Sequence, residues 1–127
     1  MSAAEEAKRD GARILVAEDE FIVALDLETM LRGFGYQVLG PVSSTVEALE
    51  LIGPERPDAV LLDLSLLDGL SVPVAEVLTA MGVSFILMTG YDHLPDHPAL
   101  KAAPRLSKPF EAKVLRTELS RLLGSPA

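Results

Sequence analysis

Apolar and polar residues alternate along this chain in two patterns, one typical of strands and one typical of helices. Four mainly apolar runs have the length of strands covered on both faces: ILVA at 14–17, YQVLGPV at 36–42, DAVLLDL at 58–64 and SFILMTG at 84–90. PRLSK at 104–108 predicts a weaker fifth strand. Because turn-forming or polar residues bound these runs, we interpret them as separate strands of one sheet.

Residues between the strands repeat at helical spacing. From Phe21 onward apolar residues recur every three or four positions, and Gly33 or Gly35 predicts the end of this first helix. The last helix has the clearest apolar stripe, which predicts that one face packs against the sheet before Gly124 ends the helix. The stripe consists of Val114, Leu115, Leu119, Leu122 and Leu123.

Cap and stop signals delimit two further helices. Ser44 and Glu47 have the spacing of a capping box, and Gly53 with Pro54 predicts the end of the second helix. A third helix is predicted over 71–81, with the serine at the start of that range as its N-cap.

The remaining segment, GYDHLPDHPALKAAP at 90–104, contains three prolines, and we expect its helix to be short or irregular. Strands that alternate with helices predict a doubly wound, five-stranded parallel α/β sheet with helices on both faces. We assign the domain to 12–124, between polar tails at 1–11 and 125–127.

Composition narrows the functional classes. The 127 residues suit one domain, and a formal net charge of −8 disfavours nucleic acid and anionic membranes as partners. No cysteine is present, which excludes disulfides and thiolate metal sites. No run approaches the roughly 20 apolar residues of a membrane helix. Because the first residues are also polar, we expect a cytoplasmic protein.

Polar and charged residues stand where the predicted strands end. Such positions collect functional groups in doubly wound sheets, and right-handed crossovers place the first strand beside the third. Each residue alone has an ordinary alternative, because an acid can cap a helix or end a strand and a lysine can be solvated. The set consists of Glu18, Asp19 and Glu20 after the first strand, Asp63 after the third, Thr89 after the fourth and Lys108 after the fifth.

Together these groups suit phosphoryl transfer. Clustered carboxylates provide the oxygen ligands that Mg²⁺ prefers, and an aspartate beside that ion can attack phosphorus to form an aspartyl phosphate. Mg²⁺ and Lys108 would neutralise the phosphoryl oxygens, the Thr89 hydroxyl would bond one of them, and Gly90 would leave space beside the group.

Four motifs carry a resemblance to a known family. LVAEDE, LLDLSLLDG, MTG and KPF occur in this order, and residues 12 to 123 resemble a receiver domain of the two-component response regulators. The resemblance implies a flavodoxin-like sheet with strand order 2-1-3-4-5. It implies phosphorylation of Asp63 by a sensor histidine kinase or phosphotransfer protein, and a cis peptide between Lys108 and Pro109.

The resemblance also implies a role for each site residue. Asp19, Asp63 and the backbone carbonyl of Ser65 would hold Mg²⁺, with Glu18 assisting through water. Thr89 and Lys108 would contact the phosphoryl group and assist both the phosphorylation of Asp63 and its dephosphorylation. Such a domain is a phosphoacceptor and not a separate enzyme.

Switch residues depart from the common family pattern. Arg105 occupies the position of the usual aromatic residue three before the lysine, and Tyr91 stands two after Thr89. FILMTGY partly resembles the Phe-x-Thr-Gly-Tyr subgroup of single-domain receivers. We therefore assign Thr89, Tyr91 and Arg105 to the switch, the residues that would report phosphorylation to the rest of the fold. Leu67 replaces the usual proline four residues after Asp63.

These features predict a single-domain regulator, monomeric or weakly dimeric, which signals through an unknown downstream protein or a phosphorelay. A small phosphohydrolase is one alternative, although such enzymes usually carry a second acid where this chain has Ser65. A receiver-like module that binds partners without phosphorylation is another.

One further cluster of metal-binding residue types occurs in DHLPDH. Asp92, His93, Asp96 and His97 could bind a transition metal, but we interpret this segment as a solvated, proline-rich loop.

Overall fold

The computed structural model describes residues 11–90 and 94–124. The strands are β1 (Arg13–Ala17), β2 (Gln37–Val42), β3 (Ala59–Asp63), β4 (Ser65–Leu66), β5 (Gly69–Leu70), β6 (Ser84–Thr89) and β7 (Arg105–Ser107). The helices are α1 (Phe21–Gly33), α2 (Thr45–Glu55), α3 (Val72–Met81), α4 (Pro98–Lys101) and α5 (Ala112–Leu123).

Five parallel strands form the main sheet in the order β2-β1-β3-β6-β7. This is the predicted 2-1-3-4-5 order, because β6 and β7 are the fourth and fifth strands that the sequence indicates. All five residues of β3 are buried at the centre of the sheet. The fold is therefore the doubly wound, flavodoxin-like α/β sheet that the sequence predicts.

Two apolar cores flank the sheet because alternate strand residues face opposite sides. Leu15 of β1 packs with α2, α3 and α4 on one face, whereas Ile14 packs with α1 and α5 on the other. In the α5 stripe Leu115 and Leu119 are fully buried, and Leu122 and Leu123 are partly buried against the same core. Val114 does not belong to that stripe, because its side chain is 44% exposed on the outer edge of the helix.

Helix α2 ends two residues later than its stop signals predict. It passes Gly53 and Pro54 and ends at Glu55, where Arg56 adopts a left-handed conformation with φ 43°. A proline in the last turn removes one backbone donor, and the Arg56 amide still donates to the Ile52 carbonyl at 3.0 Å. The capping serine is confirmed, since Ser44 Oγ accepts a hydrogen bond from the third helical amide.

The fourth helix is short, as its prolines predict. Helix α4 has four residues, and the Nδ1 atom of its N-cap His97 accepts a hydrogen bond from the Ala99 amide at 3.1 Å. A second feature, the antiparallel hairpin formed by β4 and β5 directly after β3, has no signal in the hydrophobic pattern. No helix within 11–90 and 94–124 has both the length and the apolar composition needed to cross a bilayer.

Candidate functional site

A bulge between β1 and β2 fixes the position of the first acid. Their register shifts after Leu15, and Gly40 has φ +82° within this irregularity. A Cβ atom at this glycine would lie 2.8 Å from the Val42 nitrogen, so a larger residue would displace the strand. Because of the shift, the Glu18 amide donates to the Val42 carbonyl at 2.9 Å, which holds Glu18 at the carboxyl end of β1.

Lys108 joins the acids from the two central strands. Its Nζ atom donates to Glu18 Oε2 at 2.9 Å and to Asp63 Oδ2 at 2.7 Å. The Lys108 amide donates to the Thr89 carbonyl at 2.9 Å, and the following bond to Pro109 is cis, as the sequence analysis expects. Residues 90 and 45 positions apart along the chain therefore form one ion-pair network.

Burial and hydrogen bonding shift the proton affinities in this network. The pKa of Glu18 is raised from 4.5 to about 7, mainly by burial and further by a hydrogen bond with Asp63, while Lys108 partly opposes the rise. Burial tends to lower the pKa of Lys108, but its bonds with Asp63 and Glu18 raise that pKa above 10.5 overall. At neutral pH Lys108 is therefore an ammonium ion, whereas Glu18 titrates in this range.

The backbone around Asp63 is held by a residue that the sequence analysis assigned to another task. Ser71 is the N-cap of α3, but its hydroxyl makes no cap bond and donates to the carbonyls of Asp63 at 2.6 Å and Leu64 at 3.1 Å. The fully buried Ser71 thus bonds two carbonyls at the end of β3 and directly after it. Helix-cap statistics gave no signal for this contact, because its partners lie seven and eight residues away.

A cavity of about 320 Å³ opens where the strands end. Its lining residues are Asp19, Glu20, Asp63, Ser65, Gly90 and Lys108. One carboxylate oxygen each from Glu18, Asp19 and Asp63 lies within 4.8 Å of the others, the single such group among the described residues. An all-oxygen donor set beside a cavity fits a hard dication such as Mg²⁺. Glu20 is the lining residue to which the sequence analysis gave no role.

The other predicted site residues divide into three groups. Ser65 lies beside Asp63 and donates its amide to Asp63 Oδ1 at 3.2 Å. Thr89 is buried at the end of β6, next to the Gly90 that lines the cavity. Arg105 is exposed on β7 and does not line the cavity, and Tyr91 lies outside the described residues.

In the described part of the histidine-containing loop, His97 and Asp96 both lie beside other side chains. His97 Nε2 lies 3.6 Å from a carboxylate oxygen of Glu76 on α3, and Asp96 pairs with Lys101. The Asp92 and His93 of the same motif lie outside the described residues.

An exposed apolar surface borders the acids on the α1 side. Phe21, Ile22 and Leu25 of α1 and Leu67 of the hairpin are 78%, 73%, 50% and 70% exposed. We call these four residues the α1 patch. Phe21, Leu25 and Leu67 line a groove of about 350 Å³ that is also lined by Glu18 and Asp19.

Fold and site define a class of doubly wound α/β domain that gathers carboxylates and one ammonium group at the carboxyl ends of its strands. Residues 14–120 match the family model of the response regulator receiver domain, and the chain belongs to this family. It is a receiver domain of two-component signalling.

Two relatives illustrate the range of proteins that this chain resembles. The chain is 31% identical to the phyllosphere-induced regulator PhyR of Methylorubrum extorquens, over 87% of the chain but 43% of that protein. It is 27% identical to sporulation initiation phosphotransferase F of Bacillus subtilis, over 87% of the chain and 93% of the relative. The chain thus spans less than half of one relative and nearly all of the other.

A solved structure shows the same fold with its metal. The receiver domain of sensor histidine kinase PA1611 from Pseudomonas aeruginosa contains a magnesium ion coordinated in its active-site cleft. It superposes with a TM-score of 0.79 at 30% identity, covering 91% of this chain and 99% of that one.

Proposed function

We propose that Asp63 accepts a phosphoryl group from a phosphohistidine and that the modified domain signals to another protein in the cytoplasm. The contact that carries this proposal is the 2.7 Å bond between Lys108 Nζ and Asp63 Oδ2 at the wall of the cavity. It places a fixed positive charge beside the carboxylate that would attack phosphorus. Phosphoryl transfer depends mainly on such positioning and charge neutralisation.

The acids around Asp63 fit a magnesium site. Asp19, Asp63 and the backbone carbonyl of Ser65 would hold Mg²⁺, with Glu18 contributing through water. The bound ion would neutralise charge on the phosphoryl oxygens. Two protein groups act with it: the Lys108 ammonium pairs with one phosphoryl oxygen, and the buried Thr89 hydroxyl bonds another.

The transfer step exchanges one bond to phosphorus for another. A carboxylate oxygen of Asp63 forms a bond to phosphorus while the phosphorus–nitrogen bond of the donor histidine breaks. The leaving imidazole nitrogen keeps the electron pair and takes a proton from solvent. Dephosphorylation ends the signal: water attacks phosphorus, the Asp63 oxygen leaves as a carboxylate and inorganic phosphate is released.

The α1 patch is the surface that we assign to the phosphodonor protein. A phosphohistidine can reach Asp63 only if its own protein covers the mouth of the cavity. The groove lined by Phe21, Leu25 and Leu67 adjoins that cavity, because Asp19 lines both. Exposed, contiguous apolar side chains of this kind are typical of protein interfaces.

The two alternatives agree less well with the site. A phosphohydrolase of this kind usually carries a second acid two residues after its nucleophile, but this position is Ser65, which contributes a backbone amide to Asp63 Oδ1. A module that binds without phosphorylation has no use for a buried ion pair between Lys108 and Asp63.

Acetyl phosphate, a small donor that needs no docking surface, tests the assignment. Wild-type protein and Asp63→Asn are incubated with it in Mg²⁺ or EDTA, and intact masses are recorded. We expect a single phosphoryl adduct on the wild-type protein in the presence of Mg²⁺, and none in EDTA. An adduct on Asp63→Asn, or equal modification in EDTA, would contradict the proposal.

A further inference from the structure

The tip of the β4–β5 hairpin is hydrogen-bonded to the start of α2. Asp68 Oδ1 accepts from the Thr45 amide at 2.7 Å, and Asp68 Oδ2 accepts from the Val46 amide at 3.2 Å. The Leu67 amide also donates to the Ser43 carbonyl at 3.0 Å. Three bonds therefore join two segments that are more than 20 residues apart in sequence.

These bonds cap α2 from outside the helix. The first amides of a helix have no partner within it, and a carboxylate there also interacts favourably with the helix dipole. The amide bonds, of which the one from Thr45 is the strongest influence, lower the pKa of Asp68 below 3.8. Ser44 caps a different amide, that of Glu47, at 3.1 Å, so the helix has one cap of its own and one from the hairpin.

The other end of the same hairpin belongs to the phosphorylation site. Ser65 opens β4, lines the cavity and donates its amide to Asp63 Oδ1. It pairs with Leu70 across the hairpin, while Ser71 holds the carbonyls of Asp63 and Leu64. Because β4 and β5 have two residues each, fixing the tip of this short hairpin also fixes Ser65.

We propose that Asp68 is a positioning residue for the magnesium-dependent phosphorylation of Asp63. By holding the hairpin tip on α2, it keeps the Ser65 backbone in the orientation that the metal and Asp63 require. The inference rests on the proposed function for the role of Ser65. It extends that function to an exposed acid outside the cavity and to a helix that contributes no residue to the acid cluster.

Two variants break the contact from opposite sides. Asp68→Asn keeps the shape of the side chain but replaces one acceptor oxygen by an amide group that cannot accept. Thr45→Pro removes the amide donor and leaves Asp68 intact. Thr45 is the first residue of α2, where proline is tolerated, and Ser44 before it is extended at φ −135° and ψ 158°, as a residue before proline should be.

Ser44→Ala provides the matched control. It removes a cap from the same helix and lowers the free energy of unfolding, but Ser44 makes no hydrogen bond to the hairpin among the described contacts. A merely structural role of Asp68 would therefore be reproduced by Ser44→Ala, whereas positioning of Ser65 would not.

Three measurements are made on each protein: the Ser65 amide resonance by NMR without metal, the Mg²⁺ dissociation constant, and the rate of phosphorylation by acetyl phosphate. We expect Asp68→Asn and Thr45→Pro to shift the resonance and to weaken Mg²⁺ binding and slow phosphorylation about three- to tenfold. That loss is smaller than the roughly 10- to 100-fold cost of removing a group bonded directly to a metal ligand. The double variant should reduce Mg²⁺ affinity and phosphorylation rate no more than the stronger single variant does, because both substitutions break the same contact.

Two results would overturn the role of Asp68: an unchanged Ser65 resonance and Mg²⁺ affinity in both variants, or equal changes in Ser44→Ala. Failure of the proposed function has a different signature, because wild type itself would then remain unphosphorylated. In that case, the Ser65 amide resonance without metal and the Mg²⁺ titration still test the role of Asp68.

Discussion

At the scale of single residues, the site is organised by one lysine between two acids of unlike character. Glu18 has no exposed side-chain surface and a pKa of about 7, whereas Asp63 lies at the cavity wall. Lys108 contacts both, so a phosphoryl group on Asp63 would compete with Glu18 for the same ammonium. Phosphorylation therefore requires a change of partners within a buried network, and this change can be transmitted to neighbouring strands.

Asp19 and Glu18 should contribute unequally to metal binding. We expect Asp19→Asn to weaken Mg²⁺ affinity roughly tenfold or more, and Glu18→Gln to weaken it less, because a direct ligand costs more than one acting through water. Calorimetric Mg²⁺ titration of both variants and wild type at pH 8 measures the difference. The reverse order would mean that the two acids have exchanged roles.

The same titration has a defined pH dependence. Since the pKa of Glu18 is raised to about 7, this group binds a proton below that pH in the metal-free protein, and Mg²⁺ must displace it. Wild-type affinity should therefore fall between pH 8 and pH 6, and Glu18→Gln should lose less over this range. Parallel curves for the two proteins would show that Glu18 is not the group that titrates.

At the scale of elements, α4 is the shortest helix of the described fold. It has four residues, and its start is held by the Ala99–His97 bond and the pair of His97 with Glu76. Elements with few bonds and short helices open at low free energy, and switching segments are drawn from them. The position of α4 shortly after β6 connects it to Thr89, the residue that we assign to the phosphoryl group.

Residues 94–104 should therefore respond to phosphorylation by exchanging their amide protons more slowly. Hydrogen exchange is compared in Mg²⁺ with and without beryllofluoride, which mimics the phosphoryl group, and with Asp63→Asn as the control. Faster exchange in 94–104 than in β3, with protection gained in wild type alone, is the expected outcome. Slow exchange that the mimic leaves unchanged would exclude this segment as the switch.

At the scale of the whole molecule, two surfaces are available for partners. The α1 patch borders the cavity, and Arg105 is exposed on the edge strand β7. This arrangement allows a donor to be recognised on one side while the state of the domain is reported on another. The chain spans 43% of one relative and 93% of another, so its single-domain organisation stays a prediction.

Substitutions in the α1 patch should slow phosphotransfer from protein donors but not from small-molecule donors. We expect Ile22→Lys to slow transfer from phosphohistidine at least tenfold while leaving the rate with acetyl phosphate unchanged, because the charge disrupts docking and not the cavity. The protein donor is the autophosphorylated kinase that transfers fastest to wild type in a panel from the same genome. Val114→Lys, an exposed apolar residue on α5, is the matched control. Equal slowing with both donors would place the defect in the site itself.

Local patterns in the sequence predicted the sheet because strands and helices differ in hydrophobic period. The strand-end rule then placed Glu18, Asp63 and Lys108 together, and the structure shows them in contact. What the patterns missed are bonds between side chains and distant backbone groups: the hydroxyl of Ser71 on the Asp63 carbonyl and the carboxylate of Asp68 on the first amides of α2. Local propensity carries no information about such partners, which tertiary packing alone brings together.

The central place of β3 has a consequence for how long a signal would last. All its residues are buried, and it pairs with β1 on one side and β6 on the other. Such a strand opens only when the whole domain unfolds, so water reaches an acyl phosphate on Asp63 through the cavity and by no faster local opening. The duration of the phosphorylated state is then set by the few side chains around the cavity. Substitutions elsewhere can alter the melting temperature of the domain without altering the half-life of its phosphorylated state.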